Sequence, residues 1–176
     1  VIKSVSPGAP EATFLDLSRS KALLAERLPK EIDAHLQDLR VAGPGLRTGG
    51  STRALTAALV NSDIKGPLVL DADALTVSAT EPADLTACQG PLVITPHPGE
   101  ATRLLGRPVP QDDAGREEVA KELAATTGSI CVLKGAGTVI SDGEVVFRNG
   151  TGNTGMATAG SGDVLAEILA AYLCCC

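Results

Sequence analysis

The chain has 176 residues, a formal net charge of −6, and 44% hydrophobic but only 2% aromatic residues. That size and apolar content suit one domain with a real core, while the acidic balance and scarce aromatics argue against nucleic acid, which is met by basic patches and stacking rings. No long uncharged apolar run suggests a membrane span, and VIKSVSPGAP lacks a signal-peptide layout, so the isolated Cys88 and Cys131 point to a reducing, cytoplasmic compartment.

In chain order, the pattern predicts a helix near Ser18–Leu28, a strand at LRVA, a helix at STRALTAALVNS, strands at PLVLD and PLVIT, a helix at DDAGREEVAKELAATTG and a strand at ICVLK. His35, within EIDAHLQDLR, belongs on a solvated helix face. Continuous apolar strands separated by helices imply a buried, parallel sheet. TVISDG and EVVFRN follow, joined by Asp142-Gly143, which predicts a type I′ hairpin near the sheet edge. A last helix, VLAEILAAYL, follows a glycine-rich loop. Cys174, Cys175 and Cys176 end the sequence without spaced ligands or partner histidines, and read as a chance terminus or a cut chain. With no repeat or linker-like break, residues 1–176 read as a single domain.

The most informative stretch is NGTGNTGMATAGSGD, residues 149–163. Its glycines permit positive φ and close backbone approach, and the helix that follows aims free N–H groups and a partial positive charge at whatever sits there. That arrangement binds phosphate. Asp163, the one carboxylate in the loop, suits a base or a metal contact beside bound phosphate. Gly150, Gly152 and Gly155 spell G-x-G-x-x-G after a strand, but the chain ends 21 residues after Gly155, with no room for the second strand of a dinucleotide-binding unit. A G-x-x-x-x-G-K-[ST] phosphate loop is absent.

Four strand ends carry unusual residues: GPG after LRVA, DAD after LVL, PHPGE after VIT and KGAG after CVL. In an open parallel sheet these ends share one rim, where ligands bind. Gly43-Pro44-Gly45 fits a tight turn as well as a ligand contact. Asp71 and Asp73 point to one side if the strand continues, as a magnesium site would use, or one of them caps a helix. Pro98 and Glu100 mark a helix start with His97 at the cap position, and the flanking prolines fix the imidazole's direction toward a ligand. Lys134 and the turn Gly135-Ala136-Gly137-Thr138 combine a cation with open backbone, suited to phosphate or adenosine, though a lysine after a strand is often simply exposed.

Taken together, GPGL, VLDADAL, ITPHPGEATRLLG, VLKGAGTVI and NGTGNTGMATAGSGDVLAEILA, in that order between Val41 and Leu173, resemble the ADP- or ATP-dependent NAD(P)H-hydrate dehydratases of the ribokinase-like superfamily. The resemblance implies an α/β, ribokinase-like three-layer sandwich with a mostly parallel sheet, its N-terminal part missing from this chain. It implies ADP or ATP as co-substrate with Mg2+, and repair of hydrated NADH or NADPH by phosphorylation of the ring hydroxyl and elimination of phosphate. By position, the nucleotide falls to Lys134, Gly135, Ala136, Gly137, Thr138, Gly160, Ser161 and Gly162. The hydrated dinucleotide falls to Gly43, Gly45, His97, Asn153 and Asp163, with Asp163 as base. A homo-oligomer and a functional pairing with an NAD(P)H-hydrate epimerase are the expected partners.

The chain departs from the family pattern at Arg47, where GPGLG is usual, and at Glu167, where a small residue is usual. Arg47 either pairs with a substrate phosphate or blocks entry. Two other readings are a ribokinase-like kinase of a vitamin precursor alcohol and a non-catalytic nucleotide-binding piece.

Overall fold

A computed structural model describes residues 40–173. The helix expected near Ser18–Leu28, His35 and the terminal cysteines lie outside the described residues. Within them six strands form one sheet in the order β1-β2-β3-β4-β5-β6: β1 Arg40–Ala42, β2 Leu68–Leu70, β3 Leu92–Ile94, β4 Ile130–Leu133, β5 Val139–Ser141 and β6 Val146–Arg148. The first four are parallel, and β5 and β6 turn antiparallel. The mostly parallel sheet with an added hairpin is the one the apolar strand pattern predicts.

Because β1 to β4 follow one another in space as in sequence, crossovers of one hand place their connecting helices on a single face. These helices are α1 Gly50–Val60, α2 Ala72–Ser78, α3 Pro98–Leu105 and α4 Asp113–Thr127, with a 3₁₀ turn at Pro82–Ala87. Alternation along the strands sends Leu68, Leu70, Leu92, Ile94, Cys131 and Leu133 into that face's core. The intervening Val69, Val93 and Val132 face the other way, where they meet Ala166 and Ala170 of α5 Ser161–Leu173. The two cores are thus set by the period-2 geometry of a strand, giving helix, sheet and helix layers.

Local sequence explains the element ends. α4 starts where Asp112 Oδ1 accepts the Gly115 N–H at 2.8 Å and stops at Gly128 in the left-handed region, φ 63°, a common helix terminator. At β1 the guanidinium of Arg40 is buried, and donates to the carbonyls of Leu59, Ile64 and Gly66 and to Ser62 Oγ, tying the end of α1 and the loop to β2 against β1. Burial pulls this guanidinium's pKa below its ordinary value, an effect opposed by Cys88 beside it. Burial also pushes the Cys131 thiol up to about 12.

The β5–β6 turn corrects the expected type I′ hairpin. Ser141 pairs with Val146, so four residues, 142–145, make the turn. Type I′ needs two residues at positive φ, whereas here only Gly143 has it, at 104°. Instead Asp142 Oδ1 accepts the Glu144 and Val145 N–H groups at 3.0 and 2.8 Å, a side-chain mimic of a backbone turn.

The closest approach in the sheet's rim involves Gly43, just after β1. Its φ is 135°, and an added Cβ would lie 1.7 Å from the Asp71 carbonyl oxygen.

Gly43→Ala is therefore expected to cost more than about 3 kcal/mol, from forced backbone movement plus strain, read by denaturant unfolding; a loss under 1 kcal/mol would refute this close approach. Leu70→Ala, at a fully buried β2 position, is expected to cost about 2–5 kcal/mol in the same measurement. For Cys131 the folded-state pKa is raised from 9.0 to about 12. The stability gained from the neutral thiol is then complete below pH 9 and is lost as the pH rises toward 12. The stability difference between the wild-type chain and Cys131→Ala should accordingly narrow across that window; a constant difference would show that the thiol does not titrate this way.

Candidate functional site

The four parallel strands end on one rim, and the glycine loop crosses it. β6 runs parallel to β4, since each is antiparallel to β5. The chain therefore leaves β6 at that rim, passes through residues 149–160 and enters α5, which packs on β1 and β2. Asn149 Oδ1 accepts the Thr151 N–H at 3.1 Å, and Asn153 Oδ1 accepts the Gly155 N–H at 2.9 Å, opening a 3₁₀ turn at Thr154–Met156. Residues 151–160 are all exposed. Gly160, at φ 86°, delivers the chain into α5.

At the start of α5 three elements converge. Lys134, one residue past β4, donates from Nζ to Asp71 Oδ1 at 2.6 Å, and Asp71 is one residue past β2. The Asp71 side chain is 2% exposed and that of Lys134 19%, so this ion pair, unlike a surface one, is largely withdrawn from solvent screening. A Cβ on Gly162 would lie 3.5 Å from Lys134 Nζ and 3.8 Å from Asp71 Oδ2. The pair thus sits against the first turn of α5, beside the N–H groups at that helix's start.

The backbone at Asp71 does not continue as a strand. β2 ends at Leu70 and α2 begins at Ala72, whose φ of 47° is left-handed, a conformation costing a non-glycine residue about 1–3 kcal/mol. Asp71 holds the cap position, but its side chain makes no capping bond and turns to Lys134. Asp73 lies in the first turn of α2, and its Oδ2 accepts the Arg47 N–H at 2.8 Å. The two carboxylates therefore take different partners, and the extended strand that would point both to one side ends before them. Arg47 itself has φ 63°, which gives a backbone reason for the glycine usual at this place. Its side chain is exposed, as is that of Glu167.

His97 lies at the end of β3, next to β4, where the Lys134 N–H donates to the Pro96 carbonyl at 2.8 Å. His97 Nδ1 accepts the Gly99 and Glu100 N–H groups at 2.9 and 3.3 Å, while Glu100 Oε2 accepts the His97 N–H at 2.8 Å. This reciprocal capping box accounts for one imidazole nitrogen. The other, Nε2, lies 3.3 Å from Glu100 Oε1 on a side chain that is 51% exposed.

The Lys134–Thr138 turn is closed by Thr138 Oγ1 donating to the Gly135 carbonyl at 3.0 Å, and it is braced from α4 by Arg116, which donates to the carbonyls of Ala136 and Lys134. Neither Arg116 nor the Asp73–Arg47 contact is legible in the sequence, because both join residues at least 18 positions apart without a motif of their own. Asp163 stands exposed in the first turn of α5.

The rim thus brings Gly43, Asp71, Lys134 and Gly162 close together. Gly45, His97 and Asn153 lie at its strand ends and loop. Among the described residues no group of three or more His, Cys, Asp or Glu side chains could hold a metal ion by itself. Asp71 and Asp73 place two carboxylates near the rim, as many as magnesium takes where substrate phosphates and waters supply its other ligands. A groove of about 560 Å³ between α1, the end of α2 and the 3₁₀ turn, lined by Arg53, Asn61 and Leu85 among others, contains none of the rim residues. No helix among the described residues is long and apolar enough to cross a membrane.

The chain is similar to several known proteins. Residues 9–176 match the family model for NAD(P)H-hydrate dehydratase. The chain is 47% identical over 135 residues to the bifunctional NAD(P)H-hydrate repair enzyme Nnr of Moorella thermoacetica, covering 76% of this chain and 25% of that protein. It is 37% identical over 180 residues to the ADP-dependent (S)-NAD(P)H-hydrate dehydratase of Bacillus subtilis, covering 99% and 59%. The crystal structure of the ADP/ATP-dependent NAD(P)H-hydrate dehydratase from Bacillus subtilis, co-crystallised with ATP/Mg2+ and soaked with CoA, superposes with a TM-score of 0.72 at 32% identity, covering 99% of this chain and 60% of that one. The fold is thus the ribokinase-like one, and the chain spans between a quarter and three-fifths of the length of these relatives. With the family model spanning nearly its whole length, the chain belongs to the NAD(P)H-hydrate dehydratase family.

Proposed function

We propose that this protein dehydrates hydrated NADH or NADPH at the expense of ADP or ATP, and that the rim around α5 is its site. The observation that carries the reading is the meeting of Lys134, Asp71 and Gly162 at the N-terminus of α5: a cation and free N–H groups form an anion site where this family keeps its glycine loop. The nucleotide lies along Lys134–Thr138 and Gly160–Gly162, and the hydrated ring lies toward Gly43, Gly45, His97, Asn153 and Asp163. When bound, Mg2+ supplies charge neutralisation at the phosphates, with Asp71 or Asp73 the carboxylates within reach of this rim.

The chemistry assigns a different task to each group. Asp163 accepts the proton of the ring hydroxyl, whose oxygen attacks the terminal phosphorus as the bond to the leaving nucleotide breaks. Phosphate then departs from the ring carbon while the neighbouring C–H proton is lost, restoring the double bond. Phosphate leaves more readily than hydroxide. Phosphoryl transfer has a loose transition state, in which positioning and electrostatic donors dominate. The same reading makes residues 1–176 part of a single cytoplasmic domain that forms a homo-oligomer. It works beside an epimerase, as the bifunctional name of the Moorella relative suggests.

Incubation with hydrated NADH or NADPH and each nucleotide should regenerate the reduced dinucleotide with release of inorganic phosphate. Accumulation of a stable phosphoester would instead identify a small-molecule kinase, and nucleotide uptake without turnover a non-catalytic binding piece. Asp163→Asn is expected to retain nucleotide binding and lose about 10²–10⁴-fold in turnover; a variant with undiminished turnover would remove Asp163 as the base.

A further inference from the structure

The Lys134–Asp71 pair does more than present a cation. Asp71 Oδ1 holds the ammonium at 2.6 Å, while Oδ2 points, like the ammonium, toward Gly162 in the first turn of α5. An anion reaching the N–H groups of α5 therefore meets a cation already shared with a carboxylate. That carboxylate is fixed in place. Gly43 closes against the Asp71 carbonyl, the Asp71 N–H donates to the Ala42 carbonyl at 3.0 Å, and the backbone beyond turns through the strained Ala72. Charges a few ångströms apart in a partly buried site interact more strongly than in water, so a buried carboxylate here opposes a bound phosphate.

We infer that Asp71 is a built-in counter-charge of the nucleotide site, which holds Lys134 at the N-terminus of α5 and lowers the affinity of that site for phosphate, so that a nucleotide binds by sharing the ammonium with a carboxylate already in place. This rests on the nucleotide site proposed above. Its chemical consequence is selectivity by charge: a single weak anion gains little from a half-neutralised lysine, whereas a di- or triphosphate outcompetes the carboxylate. It also limits how tightly a spent nucleotide is retained. Asp71 would then be a specificity-determining residue, acting on the phosphates and leaving the adenosine untouched.

The test is calorimetric titration of the chain with ADP and with adenosine, metal-free in EDTA at low salt. Asp71→Asn should tighten ADP binding about tenfold, leave adenosine binding unchanged, and lose most of that gain as salt rises. Asp71→Ser is a second neutral variant should the amide disturb folding, with retention of the thermal transition as the criterion for a folded chain. Asp84→Asn changes the net charge equally, on an exposed residue of the 3₁₀ turn away from the rim, and it should move the ADP affinity less than about threefold. An Asp71 variant that binds ADP as the wild-type chain does, or more weakly, would overturn the inference and make Asp71 a purely orienting partner of Lys134. Equal changes for ADP and adenosine would overturn it as well. A wild-type chain that takes up no ADP at all would defeat the nucleotide site itself.

Discussion

A buried carboxylate that reaches across 63 positions of sequence to a lysine sets the geometry of this rim. Asp71 and Lys134 follow two parallel strands that are not neighbours, with β3 between them, so their contact fixes the ends of both strands at one height. Everything nearby accommodates that contact. Gly43 has no side chain because the Asp71 carbonyl occupies the space. Ala72 adopts a left-handed φ because the chain must leave the strand at once. Such strain persists only where surrounding structure over-determines it, and it gathers at functional sites.

The second constraint is the division of the sheet into two faces. Strand alternation gives one face to α1–α4 and the other to α5, and this explains why the glycine loop must cross the rim. The chain leaves β6 at one edge but packs its last helix against β1 and β2 near the other. The loop that spans this distance carries its polar side chains on its own backbone, through Asn149 and Asn153. The N-terminus of α5 is thereby brought to Lys134, a juxtaposition that local propensity in either segment does not contain.

Several residues serve both the local structure and the rim. His97 completes a capping box with Glu100 and still exposes half its imidazole. Asp71 occupies a helix cap without capping. Arg116 lies in an amphipathic helix whose pattern advertises only a core face, yet its guanidinium holds the Lys134–Thr138 turn.

The strands, helices and parallel pairing were legible in the sequence because apolar runs, caps and glycines act over a few residues: the β1–β4 runs, the Pro98 start of α3 and the Gly128 stop of α4 are local statements. The family was legible for a related reason, since five ordered motifs mark where each strand ends. The turn at Asp142 departs from the type I′ expectation because Asp-Gly suits two turn geometries, and the strand register chose the longer one. The separate partners of Asp71 and Asp73 were decided by the tertiary structure alone. Strand or helix at that point depended on which partner each carboxylate found, and Lys134 and the Arg47 amide come within reach only once the sheet has formed.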